Sequence, residues 1–190
     1  CLIKGTLGQQ YVLKNEFSVS NKISKIEIKM DKNDYYPQED IIVKGNAYKD
    51  NGKGVNGFIL LTIQSEAFNT TITETVRDGF FWFNFSASSE TKPGTYLMNV
   101  DIYEMSEEGN KTNEGISNAN IEIKQVPTSF EIILDSQEIE PGTTLRFKPV
   151  VYDQAAGEIL GLKGGMFILK DKNDVIVQQY EGDAGVFYEY

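Results

Sequence analysis

Histidine is missing from all 190 residues, and that absence removes more chemistry than any other. Without imidazole there is no Ser-His or Cys-His nucleophilic pair and no histidine-ligated metal centre. Cysteine is nearly absent as well: Cys1 stands alone, so no disulfide forms within the chain. Nowhere do 18 apolar residues run together as a membrane-crossing helix requires, and no apolar leader segment is present, so this segment is not expected to insert into a membrane. Positive charge is scarce, with 18 Lys and Arg against 28 Asp and Glu and a net charge of −10. Such a surface repels phosphates and anionic lipid, so nucleic acid is not an expected partner. Helical periodicity sustained over three turns is absent too. Carboxylate pairs are available, but most alternate onto outward strand faces, and none forms the pattern of a buried acid–base dyad. The segment is therefore expected to be non-catalytic, with no cofactor. Cys1 leaves three readings open: a lipid-modified N-terminus, an N-terminal nucleophile using its own amine as base, or the point at which a longer sequence is entered.

Enough apolar material remains to build cores, since 40% of the residues are hydrophobic and 12% aromatic. Its arrangement is a repeat. Ile26, Ile28, Met30 and Asp31 return 104 positions later as Phe130, Ile132, Leu134 and Asp135. Pro37, Ile41, Val43, Ala47 and Tyr48 return at the same offset as Pro141, Leu145, Phe147, Val151 and Tyr152. Residues 57–61, Gly-Phe-Ile-Leu-Leu, reappear at 165–169 as Gly-Met-Phe-Ile-Leu, after a slip of four residues that a longer loop supplies. A period near 100 residues is too long for a solenoid and fits a small β-sandwich.

Period-two alternation then assigns the strands. Residues 1–21, with Val12, Phe17 and Val19 as the apolar members of a strand over 11–20, are expected to end a preceding domain. Residues 22–125 are expected to form a complete sandwich of about seven strands. Its inward residues are Ile26, Ile28 and Met30; Ile41, Val43, Gly45 and Ala47; Ile59, Leu61 and Ile63; Phe81, Phe83 and Phe85; Tyr96, Met98, Val100 and Ile102; and Ala119, Ile121 and Ile123. Tyr96 follows Pro93-Gly94-Thr95, where a sandwich carries a corner tyrosine tied back to nearby backbone. A loop is expected over 107–115. The junction Val126-Pro127-Thr128 is short and stiffened by proline, so neighbouring units should sit end to end with restricted freedom. Residues 126–190 are expected to be the first part of a second sandwich, in which 185–188 echo 79–82. Nothing there matches residues 93–125. The fold class expected is all-β, tandem immunoglobulin-like sandwiches, the second incomplete in this chain.

Three groups of residues are candidates for chemistry. Residues 31–37, Asp-Lys-Asn-Asp-Tyr-Tyr-Pro, resemble the calcium-binding linker of cadherins, whose hard oxygens converge on one ion, which makes Asp31, Asn33 and Asp34 metal candidates. The resemblance departs at Tyr35, and ordinary polar turn chemistry accounts for the stretch equally well, as for residues 171–174. Asn69, Asn84 and Asn110 open N-x-S/T sequons and are glycosylation candidates in an extracellular setting. Phe80 and Trp82 alternate onto an outward face. They form a contact surface or carbohydrate platform, or else a loop, a neighbouring domain or a glycan on Asn84 covers them.

Residues 36–45 (Tyr-Pro-Gln-Glu-Asp-Ile-Ile-Val-Lys-Gly), then 79–81 (Gly-Phe-Phe) and 93–96 (Pro-Gly-Thr-Tyr), resemble immunoglobulin-like repeats of prokaryotic, especially archaeal, surface proteins. Macroglobulin-like domains share related marks. The first copy departs at Gln38, where glycine is usual. The second keeps Pro141-Gly142 but has Pro149 for the later glycine. The resemblance implies an extracellular, cell-surface segment of tandem domains acting as spacers or adhesive modules. Its expected partners are other surface-protein domains, copies of itself, or glycans. Three alternatives stand beside it: a macroglobulin-like or accessory module next to an enzyme domain elsewhere in the chain, a carbohydrate-binding sandwich, and a filament subunit completed by a donated strand.

Overall fold

A computed structural model describes residues 21–190 and, ahead of them, the backbone of two short strands, β1 (Leu2–Lys4) and β2 (Gln10–Val12), paired antiparallel. Cys1, Phe17 and Val19, and with them most of the strand expected over 11–20, lie outside the described residues. The fold is all-β and immunoglobulin-like. The first copy contains β3 (Ile23–Met30), β4 (Asp34–Tyr35), β5 (Asp40–Lys49), β6 (Gly57–Gln64), β7 (Asn69–Val76), β8 (Phe80–Ser86), β9 (Gly94–Met105) and β10 (Lys111–Ile123). They form two sheets, ordered β3-β5-β8 and β4-β10-β9-β6-β7.

Alternation produces the core. Ile41, Val43 and Ala47 from β5 meet Ile59, Leu61 and Ile63 from β6, Phe81 and Phe83 from β8, and Met98, Val100 and Ile102 from β9. Burying each such side chain contributes about 1.5–3 kcal/mol. One inward position must be glycine: a β-carbon at Gly45 would stand 2.4 Å from Cζ of Phe81 and 2.0 Å from the Glu27 carbonyl oxygen. The missing side chain is the space in which the Phe81 ring lies. Tyr96 donates its hydroxyl to the Lys92 carbonyl at 2.6 Å and meets Phe68 edge-on, as expected of a corner tyrosine.

The second copy contains β11 (Pro127–Leu134), β12 (Arg146–Asp153), β13 (Gly165–Lys170), β14 (Ile176–Gly182) and β15 (Tyr188–Glu189). The sequence repeat returns as a repeat of hydrogen-bond register. Ile26, Ile28 and Met30 pair with Ala47, Gly45 and Val43, while Phe130, Ile132 and Leu134 pair with Val151, Pro149 and Phe147. The irregularity recurs as well, between Ile23 and Lys25 and again between Pro127 and Ser129. Val55 N–H donates to Ala47, and Ile159 N–H donates to Val151, 104 positions on.

Three elements differ from the sequence expectation. Residues 111–115, expected as loop, are the start of β10, which pairs with β9 down to a tight turn where Ser106 and Asn110 bond at 2.8 Å. Polar side chains hold this extension: Lys111 pairs with Asp101 at 2.9 Å, and the Asn113 amide donates to Glu104 and to the Asn21 carbonyl. Asp34-Tyr35 is a short strand parallel to the end of β10, which makes Tyr35 one of the largest fully buried side chains. The echo of residues 79–82 at 185–188 is off by one in the ladder. Tyr188 pairs with Phe147 as Phe83 pairs with Val43, so Tyr188 turns inward and Phe187 stays out. Pro149 stands where Gly45 stands, and it has no N–H for the ladder. A one-residue slip reverses which side chains face inward.

Candidate functional site

Two of the calcium candidates, Asp31 and Asp34, have side-chain partners of their own. The Asp31 carboxylate accepts the Tyr35 hydroxyl at 2.8 Å, and this hydrogen bond holds Asp31 below its ordinary pKa. Burial, then Asp31, push the Tyr35 hydroxyl up to about 12. Asp34 pairs instead with Lys124, whose hydrogen bond lowers it. The Asn33 carbonyl accepts the Glu122 N–H at 3.0 Å. Each group thus closes the corner where β4 meets β10, and among the described residues no three acidic or thiol side chains cluster as metal ligands. Residues 171–174 form a tight turn in which the Asp171 carboxylate caps the N–H groups of Asn173 and Val175.

Asn69 and Asn84 sit exposed on β7 and β8, and Asn110 sits exposed at the start of β10's turn. Phe80 and Trp82 are each 53% exposed on β8, beside Asn46 and Lys44 of β5, and Asn84 continues the same outward row. The structure therefore gathers Phe80, Trp82 and Asn84 on one face and leaves Asn69 and Asn110 elsewhere.

The arrangement that sequence reasoning missed is the junction between the copies. Thr91 and Asp153 are the two buried polar residues among those described, and they belong to opposite sides of it. Gln125 Nε2 donates to Asp153 Oδ2 at 2.9 Å. Gln154 Oε1 accepts the Val126 N–H at 2.8 Å, while its Nε2 donates to the Thr91 carbonyl at 3.1 Å and the Lys124 carbonyl at 2.9 Å. One amide thus satisfies three main-chain groups of the preceding strand, linker and loop. Asp153 is the anchor, with Oδ1 accepting the N–H groups of Ala155 and Gly157, both at 2.9 Å. Burial works against its charge, but the hydrogen bonds from Gln125, Gly157 and Ala155 outweigh it and hold the carboxyl below its usual pKa. Gly157 leaves room for this, since a β-carbon there would stand 3.1 Å from Asp153 Oδ2. The available sequence signal was an aspartate ending an alternating strand with glycine four residues on, the pattern of a self-capping turn. These bonds tie Thr91 and residues 124–126 to Asp153 and Gln154.

No protein-family model matches the chain, and no curated protein matches it. Among solved structures it is similar to trypsin-activated alpha-2-macroglobulin from Escherichia coli, with a TM-score of 0.43 and 13% identity over 92% of this chain and 14% of that one. A Salmonella alpha-2-macroglobulin mutant gives 0.41 and 12% over 90% of this chain and 12% of that one. The native conformation of the Escherichia coli protein gives 0.42 and 13% over 100% of this chain and 14% of that one. The chain thus spans 14% or less of the length of these structures, and among the described residues it has no helix long and apolar enough to cross a membrane.

Proposed function

We propose that this chain is a non-catalytic segment of an extracellular surface protein, in which residues 22–125 and 126–190 act as successive immunoglobulin-like units held at a set angle. The observation that carries this reading is the junction: buried Asp153 accepts from Gln125, and Gln154 bonds the main chain at Thr91, Lys124 and Val126. A hinge meant to swing would leave these groups to water, because burying them is costly unless each is paired. The outward row of Phe80, Trp82 and Asn84 supplies the adhesive surface, with other surface domains, further copies or glycans as partners. A second reading is a macroglobulin-like module beside a catalytic domain. It rests on the marks at Tyr36-Pro37 and Pro93-to-Tyr96, which resemble those of such domains.

Small-angle X-ray scattering of the whole chain tests the spacer reading. An elongated profile whose maximum dimension is unchanged between low and high salt supports it. A compact profile, or one broadened by many domain orientations, overturns it. For the second reading, an enzyme domain found in the same polypeptide is the decisive observation.

A further inference from the structure

The outward face of the sheet β3-β5-β8 carries aromatic rings and lysines in register. Strand pairing sets its rows: Glu27, Asn46 and Phe80; then Lys29, Lys44 and Trp82; then Ile42 and Asn84. Lys29, Lys44 and Asn84 are exposed beside the two rings. Lys29 stands directly opposite Lys44. Like charges so placed oppose sheet pairing, and a chain with 28 acidic against 18 basic residues has carboxylates to spare for either position. Among the described residues neither lysine closes an ion pair. Glu27 is taken by Lys25 at 2.7 Å, and Asp31, just past β3, accepts the Tyr35 hydroxyl. Asp40 lies beyond the Asn84 row, opposite Ser86. A local positive pair therefore sits next to an exposed indole on a negatively charged chain.

We propose that this face binds an acidic polysaccharide, with its pyranose rings laid over Trp82 and Phe80 and a sugar carboxylate between Lys29 and Lys44. The ring hydrogens of a sugar, made positive by neighbouring oxygens, meet the negative face of an aromatic ring. Phe80 and Trp82 alternate on one strand, about 7 Å apart, so the strip lies under more than one sugar. Asn46 and Asn84 offer amide donors and acceptors to the hydroxyls. The lysines supply point charges, which suit a carboxylate that can approach from several directions. The central strand β5 is paired on both sides, so a polypeptide cannot add to it as a strand and recognition falls to side chains. The net charge of −10 works against a denser polyanion such as nucleic acid. This ligand class deepens the adhesive role proposed for the row and rests on it, not on the junction.

Trp82 is the only tryptophan, so its fluorescence reads this face alone. The full 190-residue chain is titrated with oligogalacturonate, with a neutral malto-oligosaccharide of equal length, and with polyglutamate of equal charge. The expected result is a saturable change in Trp82 fluorescence with oligogalacturonate only, weakening as salt rises. The double variant Lys29→Gln, Lys44→Gln and the single variant Phe80→Ala should each bind roughly tenfold more weakly. The lysine variant should melt no lower than the unmodified chain, because it removes a repulsion. Lys163→Gln with Lys172→Gln, in the second copy, should bind as the unmodified chain does. No response to oligogalacturonate overturns the proposal, as does an equal response to polyglutamate, which would mark a charge patch blind to sugar. An equal response to the neutral sugar keeps an adhesive face but overturns its acidic ligand. Any of these beside an elongated scattering profile leaves the spacer reading standing, whereas a compact profile with intact binding overturns the spacer reading alone.

Discussion

Gln154 reaches across the junction to the Thr91 carbonyl, 63 positions earlier, with its amide nitrogen 3.1 Å from the oxygen. Both hydrogens of that nitrogen are used, the second on Lys124, and its oxygen holds the Val126 N–H. Replacing Gln154 by Ala leaves three main-chain groups to find water. The expected cost is about 1–3 kcal/mol, read as earlier urea unfolding of the second copy together with a broadened distribution of orientations. Gln154→Glu should fail to rescue it, because a carboxylate cannot donate to Thr91 and Lys124.

Gln38 and Gly142 occupy the same corner in the two copies, with φ of +64° and +86°. Each follows proline in a turn closed by a bond from residue 39 to 36 or from 143 to 140. The left-handed conformation disfavours a side chain, so Gln38→Gly should stabilise the first copy by roughly 0.5–1 kcal/mol after the added chain entropy is subtracted. Gly142→Ala should cost the second copy about 1 kcal/mol. Thermal melts of the two variants should move in opposite directions; movement in the same direction would refute the turn assignment.

Two buried titrating groups bound the pH range of stability. Asp153 is held below its ordinary pKa, so its contribution is complete above the unfolded value and is lost as pH falls through the folded one. Tyr35 is raised to about 12, so its contribution is complete below the unfolded value near 10 and is lost between there and about 12. Asp153→Asn should flatten the acid limb of a stability–pH curve, and Tyr35→Phe should flatten the alkaline limb. An unchanged acid limb in Asp153→Asn would remove that residue from the junction's account.

Gly45 tests the packing logic of the first sandwich. Gly45→Ala forces a methyl against the Phe81 ring and the Glu27 carbonyl, at a cost of about 1–3 kcal/mol. Calorimetric melting should show the loss in the first copy only, because Pro149 already fills the equivalent position in the second.

Much of this fold was legible in the chain because a half-buried strand writes its register as alternation, and the 104-residue repeat wrote it twice. Ile26, Ile28 and Met30 announced the partners that Phe130, Ile132 and Leu134 would have. What escaped was anything decided by one side chain against a distant backbone. Tyr35 reads as a turn residue until β10 is seen beside it. The slip at Tyr188 lies in how β15 pairs with β12, which no periodicity carries. Gln154, Thr91, Asp153 and Gln125 are common polar residues whose roles exist only once the copies meet. The candidates at Asp31 and Asp34 show the converse: carboxylates close in sequence but engaged by Tyr35 and Lys124 in different tasks.

The Gln125–Asp153 and Gln154 bonds are proposed to hold the two copies as one body. Backbone residual dipolar couplings, measured for the whole chain in one weakly aligning medium, test it most directly. Couplings from residues 22–125 and from 126–190 should fit alignment tensors of equal magnitude and a common orientation, and Gln154→Ala should separate them. A markedly weaker tensor for one copy in the unmodified chain would show independent motion and overturn the proposal of a fixed junction.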